Sequence, residues 1–79
     1  MEDTAVMFTR ELNQAGHSKR FTIHEVPAQG GWEVREETDR QVVRLVRYRD
    51  WHRVERARMR IDAEVLALEG RGWSPTRED

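Results

Sequence analysis

The stretch from Asp50 to Gly72 constrains the fold most, because its apolar residues recur with helical spacing over about four turns. Asp50 is a residue type that favours the N-cap, and Gly70 and Gly72 are residue types that end helices. The apolar stripe consists of Val54, Ala57, Ile61, Val65 and Leu68. This pattern predicts a long amphipathic helix that needs a second apolar layer to cover its stripe.

The residues before this helix alternate with the period of two that is typical of β-strands. Phe21 and Ile23 alternate with polar residues, and so do Trp32 and Val34, while residues 41–48 are rich in valine. A Pro/Gly turn over 27–31 and a polar break over 37–40 separate these segments. The pattern predicts three antiparallel strands.

The polar break also predicts the register of the second hairpin. If the turn closes symmetrically around Thr38 and Asp39, Val34 lies opposite Val43 and Trp32 lies opposite Leu45 on the core face. The opposite, outer face of the sheet is then predicted to carry Arg35, Val42, Arg44, Val46 and Tyr48. We expect Glu33 to lie opposite Arg44 on that outer face.

The first residues predict a helix over 4–15. Asp3 and Thr4 are N-cap types, and Gly16 is a C-cap type. Between them, apolar residues recur at spacings of three and four: Ala5, Phe8, Leu12 and Ala15. The predicted fold class is therefore α+β: a small two-layer domain over 1–73 in the order helix, three-stranded antiparallel sheet, long C-terminal helix, followed by a polar tail over 74–79.

A chain of 79 residues without cysteine has no disulfide to support its small core. We therefore expect a homodimer. A minor helical stripe of Met59, Ala63 and Leu66 is the predicted interface, unless the first helix covers it through Phe8 and Leu12. No apolar run has the length of a membrane helix and the first residues do not resemble a signal peptide, so we expect a cytoplasmic protein with no membrane partner.

Positive charge is concentrated in residues 40–60, which hold eight arginines against two acidic residues for a net charge of plus six. The other residues carry minus seven, since the whole chain has a net charge of minus one. Arginines interleaved with aromatic residues are typical of nucleic-acid surfaces. The predicted nucleic-acid or partner-binding residues are Arg35, Arg44, Val46, Arg47, Tyr48, Arg49, Trp51, Arg53 and Arg56.

Three other interpretations stay open for this segment. The arginines could form a solvated, ion-paired face, for example through Arg58 with Asp62 and Arg60 with Glu64 at helical spacing. They could instead bind an acidic protein, in a protein-interaction or homodimerisation module. The tryptophans could also line a small-ligand cavity at a dimer interface.

No catalytic or metal site is predicted. His52 and Glu55 share one helix face, but a usable metal site needs at least three ligands, and His17 and His24 lie on other predicted elements. No nucleophile motif or phosphate-binding glycine loop is present. We therefore expect a binding module that is not an enzyme and uses no cofactor.

The predicted order of elements is similar to that of the double-stranded-RNA-binding domain. That family has a histidine in the loop between its first two strands and a lysine-rich start to its last helix. The corresponding segments are Val26-Pro27-Ala28-Gln29-Gly30-Gly31 and Asp50-Trp51-His52-Arg53. The resemblance therefore extends to element order and carries no binding residues over to this chain.

Overall fold

The computed structural model describes residues 5–76 as one antiparallel sheet with a single long helix across one face. The sheet has five strands in the spatial order β4-β3-β2-β1-β5. A short 3-10 helix, Pro27–Gln29, joins the second strand to the third. The other elements are β1 (Ala5–Gln14), β2 (His17–Val26), β3 (Gly31–Thr38), β4 (Gln41–Tyr48), α1 (Trp51–Gly70) and β5 (Ser74–Pro75).

The predicted first helix is wrong, because these residues form strand β1 and pair with β2 in an antiparallel ladder. Phe8 and Leu12 both point to the helix side and are buried. Residues four apart lie on the same face in a strand as well as in a helix, so their spacing does not distinguish the two. Arg10 lies between them on the same face, with Cζ 4.4 Å from the centre of the Phe8 ring. A charged residue at an inward position hides the two-residue alternation. The predicted caps Asp3 and Thr4 lie outside the described residues.

Two short turns close the sheet at one end. Ala15 and Gly16 join β1 to β2 with φ of 50° and 84°, so Gly16 is a turn residue and not a helix cap. Asp39 and Arg40 join β3 to β4 with φ of 52° and 70°. Two consecutive residues with positive φ are typical of the tight turns that match the twist of a hairpin.

The position of the second turn makes the predicted hairpin register wrong. The turn is centred on Asp39 and Arg40, and a bulge next to Glu37 leaves Val43 without a partner in the ladder. Tyr48 consequently pairs with Trp32, Val46 with Val34, and Arg44 with Glu36. Because neighbouring residues point to opposite faces, Arg44, Val46 and Tyr48 lie on the helix side of the sheet and not on its outer face.

The core lies between α1 and one face of the sheet. Helix α1 begins after Asp50, whose side chain accepts a hydrogen bond from the His52 backbone N–H at 3.0 Å. Its buried residues are the predicted stripe, and Ile61 is fully buried. The sheet contributes Phe8, Leu12, Phe21, Ile23 and Val34. Val43 and Leu45, which were predicted to be core residues, are exposed.

The chain returns to the sheet after α1. Trp73 packs partly buried against the core, with Nζ of Lys19 5.6 Å from its ring centre. Residues Ser74 and Pro75, at the start of the predicted polar tail, form β5 beside β1, and the Thr76 N–H donates to the Glu11 carbonyl at 2.8 Å. The sheet thus has five strands instead of the predicted three.

The observed architecture is therefore a two-layer α+β structure with four long strands preceding one helix. The predicted order, with a helix first, is contradicted, and with it the element order of the double-stranded-RNA-binding domain. No helix among residues 5–76 is long and apolar enough to cross a membrane.

Candidate functional site

The structure divides the predicted binding residues between the two faces of the sheet. Arg35 and Arg47 lie on the outer face, where both contact the carboxylate of Glu33. Nε of Arg47 donates to Oε2 of Glu33 at 3.1 Å, and Nη2 of Arg35 donates to Oε1 at 3.4 Å. Arg35 also lies 3.8 Å from Glu37. Arg35 and Arg47 are thus part of a network of paired charges on the outer face. For these two arginines, the structure agrees with the interpretation in which the arginines form an ion-paired face.

Arg44, Arg53 and Arg56 lie on the helix side, on the edge strand and at the start of α1. A shallow groove of about 280 Å³ separates β4 from the first turns of the helix. We call this the β4–α1 groove, and its lining residues are Tyr48, Arg53, Arg56, Ala57 and Arg60. Arg44 belongs to the same face, four pairs along the ladder from Tyr48. Arg49 follows Tyr48 directly and lines an adjoining cleft together with Arg47 of the outer face.

Most arginines beside the β4–α1 groove have no ionic partner among residues 5–76. Arg44, Arg49, Arg53 and Arg56 form no ion pair with any carboxylate of residues 5–76, and all four are exposed. Arg60 is the exception, since its Nη2 lies 3.6 Å from the Glu36 carboxylate. The groove therefore carries positive charge that no carboxylate of residues 5–76 neutralises.

The ion pairs expected along the helix do not form. Arg60 contacts Glu36 of β3 and not Glu64, while Asp62 lies 3.8 Å from Arg10 of β1 and not beside Arg58. Arg58 places Cζ 5.0 Å from the Phe8 ring. The expected pairing of Glu33 with Arg44 is also replaced, because the register sets Glu33 opposite Arg47. Long side chains of α1 pair with the sheet across the layer and not along the helix.

Trp51 does not join the arginines. Its ring lies against Trp32, with ring centres 5.2 Å apart and planes inclined by 58°. It lines a different cleft, of about 290 Å³, on the β1 side of α1. This cleft is mainly apolar and is lined by Met7, Phe8, Ile23, Trp51, Val54, Glu55, Arg58 and Met59. The predicted pair of stacking residues is thus separated, and only Tyr48 remains with the basic groove.

Val46 is not exposed in the β4–α1 groove, because it lies half-buried on the helix side of β4, opposite Val34.

The predicted interface residues Met59, Ala63 and Leu66 are exposed on the side of α1 that faces away from the sheet. Met59 is 70% exposed and Leu66 is 69% exposed. The first helix that was expected to cover them is absent, so nothing in residues 5–76 covers this stripe.

Sequence reasoning missed Arg60 and Glu36, which border the groove. Glu36 and Arg44 become neighbours only in the observed register, and the turn position that fixes it was not apparent in the polar break. The Met7 cleft was missed as well, because its wall is strand β1. No sequence signal for that cleft was available while those residues were interpreted as a helix.

The histidines do not form a metal centre. His17 lies at the hairpin end, with Nδ1 3.2 Å from Oδ2 of Asp39. The Ser18 backbone N–H donates to Oδ1 of Asp39 at 2.9 Å, and this bond, followed by the contact with His17, lowers the pKa of the Asp39 carboxyl. Residues 5–76 contain no group of three or more histidine, aspartate or glutamate side chains arranged to hold a metal ion.

The chain was compared with protein-family models, curated proteins and solved structures. No family model matches it, and no curated protein or solved structure is significantly similar to it.

Proposed function

We propose that this protein is a small non-catalytic module that binds single-stranded nucleic acid in the β4–α1 groove. The observation that carries the proposal is a set of four exposed arginines, along β4 and the start of α1, that have no ionic partner among residues 5–76. They are Arg44, Arg49, Arg53 and Arg56. Guanidinium groups pair bidentately with phosphate oxygens and stack on bases, so this surface has the chemistry to bind a nucleic-acid backbone.

The separation of charges supports this role. The chain as a whole has a net charge of minus one, so non-specific attraction by the whole molecule is weak. On the outer face Arg35 and Arg47 are paired with Glu33, whereas of the arginines that line the groove only Arg60 has a carboxylate partner among residues 5–76. An anionic strand would therefore be attracted more strongly to the groove than to the Glu33 network.

A single strand fits this surface better than a duplex does. The groove is a shallow cleft between one edge strand and one helix, with the half-buried Tyr48 ring among its lining residues as a stacking surface for a base. A helix that enters the major groove of a duplex presents polar and basic side chains outward. Helix α1 instead presents Met59, Ala63 and Leu66 on its outer side.

The proposal is tested by titrating purified, nuclease-treated protein into labelled single-stranded and double-stranded oligonucleotides at several salt concentrations, with anisotropy as the signal. Four arginines that neutralise about four phosphates give a slope of about −3 for log affinity against log salt on a single strand. We expect the single strand to bind more tightly than the duplex. An absence of binding at low salt, or an affinity that salt leaves unchanged, would contradict the proposal.

A second candidate function is binding of an acidic extended peptide along β4. This strand is at the edge of the sheet, and Val42, Val43 and Leu45 are exposed on it. An edge strand can accept another strand through its unpaired backbone groups. Leu45 lies on the outer face opposite Arg35, away from the groove. Replacement of Leu45 by lysine should therefore weaken peptide binding and leave oligonucleotide binding unchanged.

A further inference from the structure

We propose that a second copy of this chain covers the outer side of α1, and that the two α1 helices pack in parallel about a two-fold axis. The apolar part of this side is formed by Met59 and Leu66, seven residues apart, with Ala63 between them. Both large side chains are exposed although they are apolar. A seven-residue repeat of this kind is the spacing at which two helices pack side chains between one another.

The charges that flank this stripe identify the occupant. On the β1 side of the stripe lies an acidic row at seven-residue spacing, formed by Glu55, Asp62 and Glu69. On the β4 side lie Arg53 and Arg60, also seven residues apart. The fold confirms which side each row is on, since Asp62 contacts Arg10 of β1 and Arg60 contacts Glu36 of β3 on the β4 side. An apolar stripe between an acidic row and a basic row is complementary to itself.

This arrangement also determines the orientation. When two copies of a helix pack in parallel, the flank on one side of the stripe faces the opposite flank of the second helix. Glu55 then lies beside Arg60 of the second copy, five residues further along, and the symmetric pair forms as well. An antiparallel pair would place each acidic row beside itself and Arg60 beside Arg60. The charges therefore favour the parallel pair.

The remaining residues of the face are compatible with this pair. Arg56 falls at the N-terminal end of the stripe and has a side chain long enough to reach Glu55 of the second copy. Arg53 has no acidic residue at the matching position, because five residues before it lies Tyr48, ahead of the helix. Arg44 and Arg49 also lie outside the helix face. Dimerisation would therefore engage Arg56 and leave Arg44, Arg49 and Arg53 available for the nucleic-acid role, which this inference does not require; a dimer should then show a salt slope of about −2.

The test is a charge exchange between the two flanks, read by analytical ultracentrifugation. Glu55→Arg places arginine opposite Arg60, and Arg60→Glu places glutamate opposite Glu55, so each variant alone should dimerise at least about tenfold more weakly than the natural chain. A mixture of the two variants restores both pairs and should form a heterodimer. The double variant Glu55→Arg/Arg60→Glu should regain the homodimer.

Two further variants keep the test decisive. Leu66→Glu should abolish dimerisation at any salt concentration and leave the circular dichroism spectrum unchanged, since Leu66 is exposed in the single chain. Arg60→Glu brings a carboxylate towards Glu36, so Glu36→Gln is added if the single variant folds poorly. A natural chain that is monomeric at all concentrations, or a mixture of the two charge variants that stays monomeric, would overturn the inference.

Discussion

Glu33 accepts a 3.1 Å hydrogen bond from Nε of Arg47 across the β3–β4 pair, on the face of the sheet opposite helix α1. The Glu33 side chain is only 12% exposed, and Arg35 contacts its other oxygen. Neighbouring long side chains thus bury a carboxylate on an otherwise open surface. This pair decides which arginines of the basic segment are neutralised, and it separates the outer face from the groove.

Removal of this carboxylate should destabilise the protein. Glu33→Gln keeps the size of the side chain but leaves Arg47 without a negative partner and Arg35 with Glu37 alone, and we expect a loss of about 1–2 kcal/mol in the free energy of unfolding. Chemical denaturation measures this loss. Glu37→Gln is the matched control, since Glu37 has a single contact with Arg35 at 3.8 Å. Equal losses of unfolding free energy in both variants would show that the contacts of Glu33 stabilise the protein no more than the single contact of Glu37 does.

Two glycine replacements compare a crowded position in the β3–β4 hairpin with an open position at the end of α1. A Cβ on Gly31 would lie 2.6 Å from the backbone oxygen of Tyr48, whereas a Cβ on Gly70 meets nothing within 4 Å. Gly31→Ala should therefore cost about 1–3 kcal/mol, because β3 and β4 must move apart. Gly70→Ala should be neutral or stabilising by up to about 1 kcal/mol, because alanine favours the helix. Thermal melts of both variants against the natural chain check this contrast.

Asp39 links the two turns at the end of the sheet and gives stability a pH dependence. The Ser18 N–H bond and then the His17 contact lower its pKa, so the carboxylate favours the folded state. This contribution is fully present above the ordinary aspartate pKa and is lost as the pH falls through the lower pKa of the folded state. Asp39→Asn should tolerate the positive φ and keep the turn, because asparagine adopts this conformation readily.

We therefore expect the natural chain to be more stable than Asp39→Asn at neutral pH, and the difference to vanish in strong acid. Denaturation at a series of pH values measures the difference, and an NMR titration of the carboxyl measures its pKa. A carboxyl that titrates at its ordinary pKa, or a stability difference that persists in acid, would be inconsistent with the contacts of Asp39.

The sequence was informative where side-chain periodicity was clean. Helix α1 has an uninterrupted apolar stripe and an aspartate at its N-cap, and its start and its five buried residues are as predicted. Strands β2, β3 and β4 also lie where the alternation placed them. In α1, β2 and β3 the local pattern and the tertiary packing agree, which is the condition under which a pattern can be interpreted reliably.

The errors have two physical causes. In β1, Arg10 occupies an inward position and is accommodated by Phe8 and Asp62, so the strand alternation is hidden and the helical spacing dominates. In the second hairpin, the turn is centred on Asp39 and Arg40 and a bulge follows, and each shift of one residue exchanges the faces. The arginine-rich segment could be found from the sequence, but the face on which each arginine lies could not.

In the proposed function, the arginines of the β4–α1 groove face, and not positive charge in general, bind a nucleic-acid strand. The groove variant, Arg44→Gln/Arg53→Gln, removes two charges from the groove face. The control variant, Arg20→Gln/Arg40→Gln, removes two charges from a cleft at the other end of the sheet, which Glu11 and Glu37 also line. We would measure single-strand affinity against salt for both variants.

We predict that the groove variant loses affinity at low salt by at least about tenfold and that its salt slope becomes shallower by about 1.4, as expected for two lost phosphate contacts. The control variant should retain both the affinity and the slope of the natural chain. Equal losses in the two variants, or full binding by the groove variant, would contradict the claim.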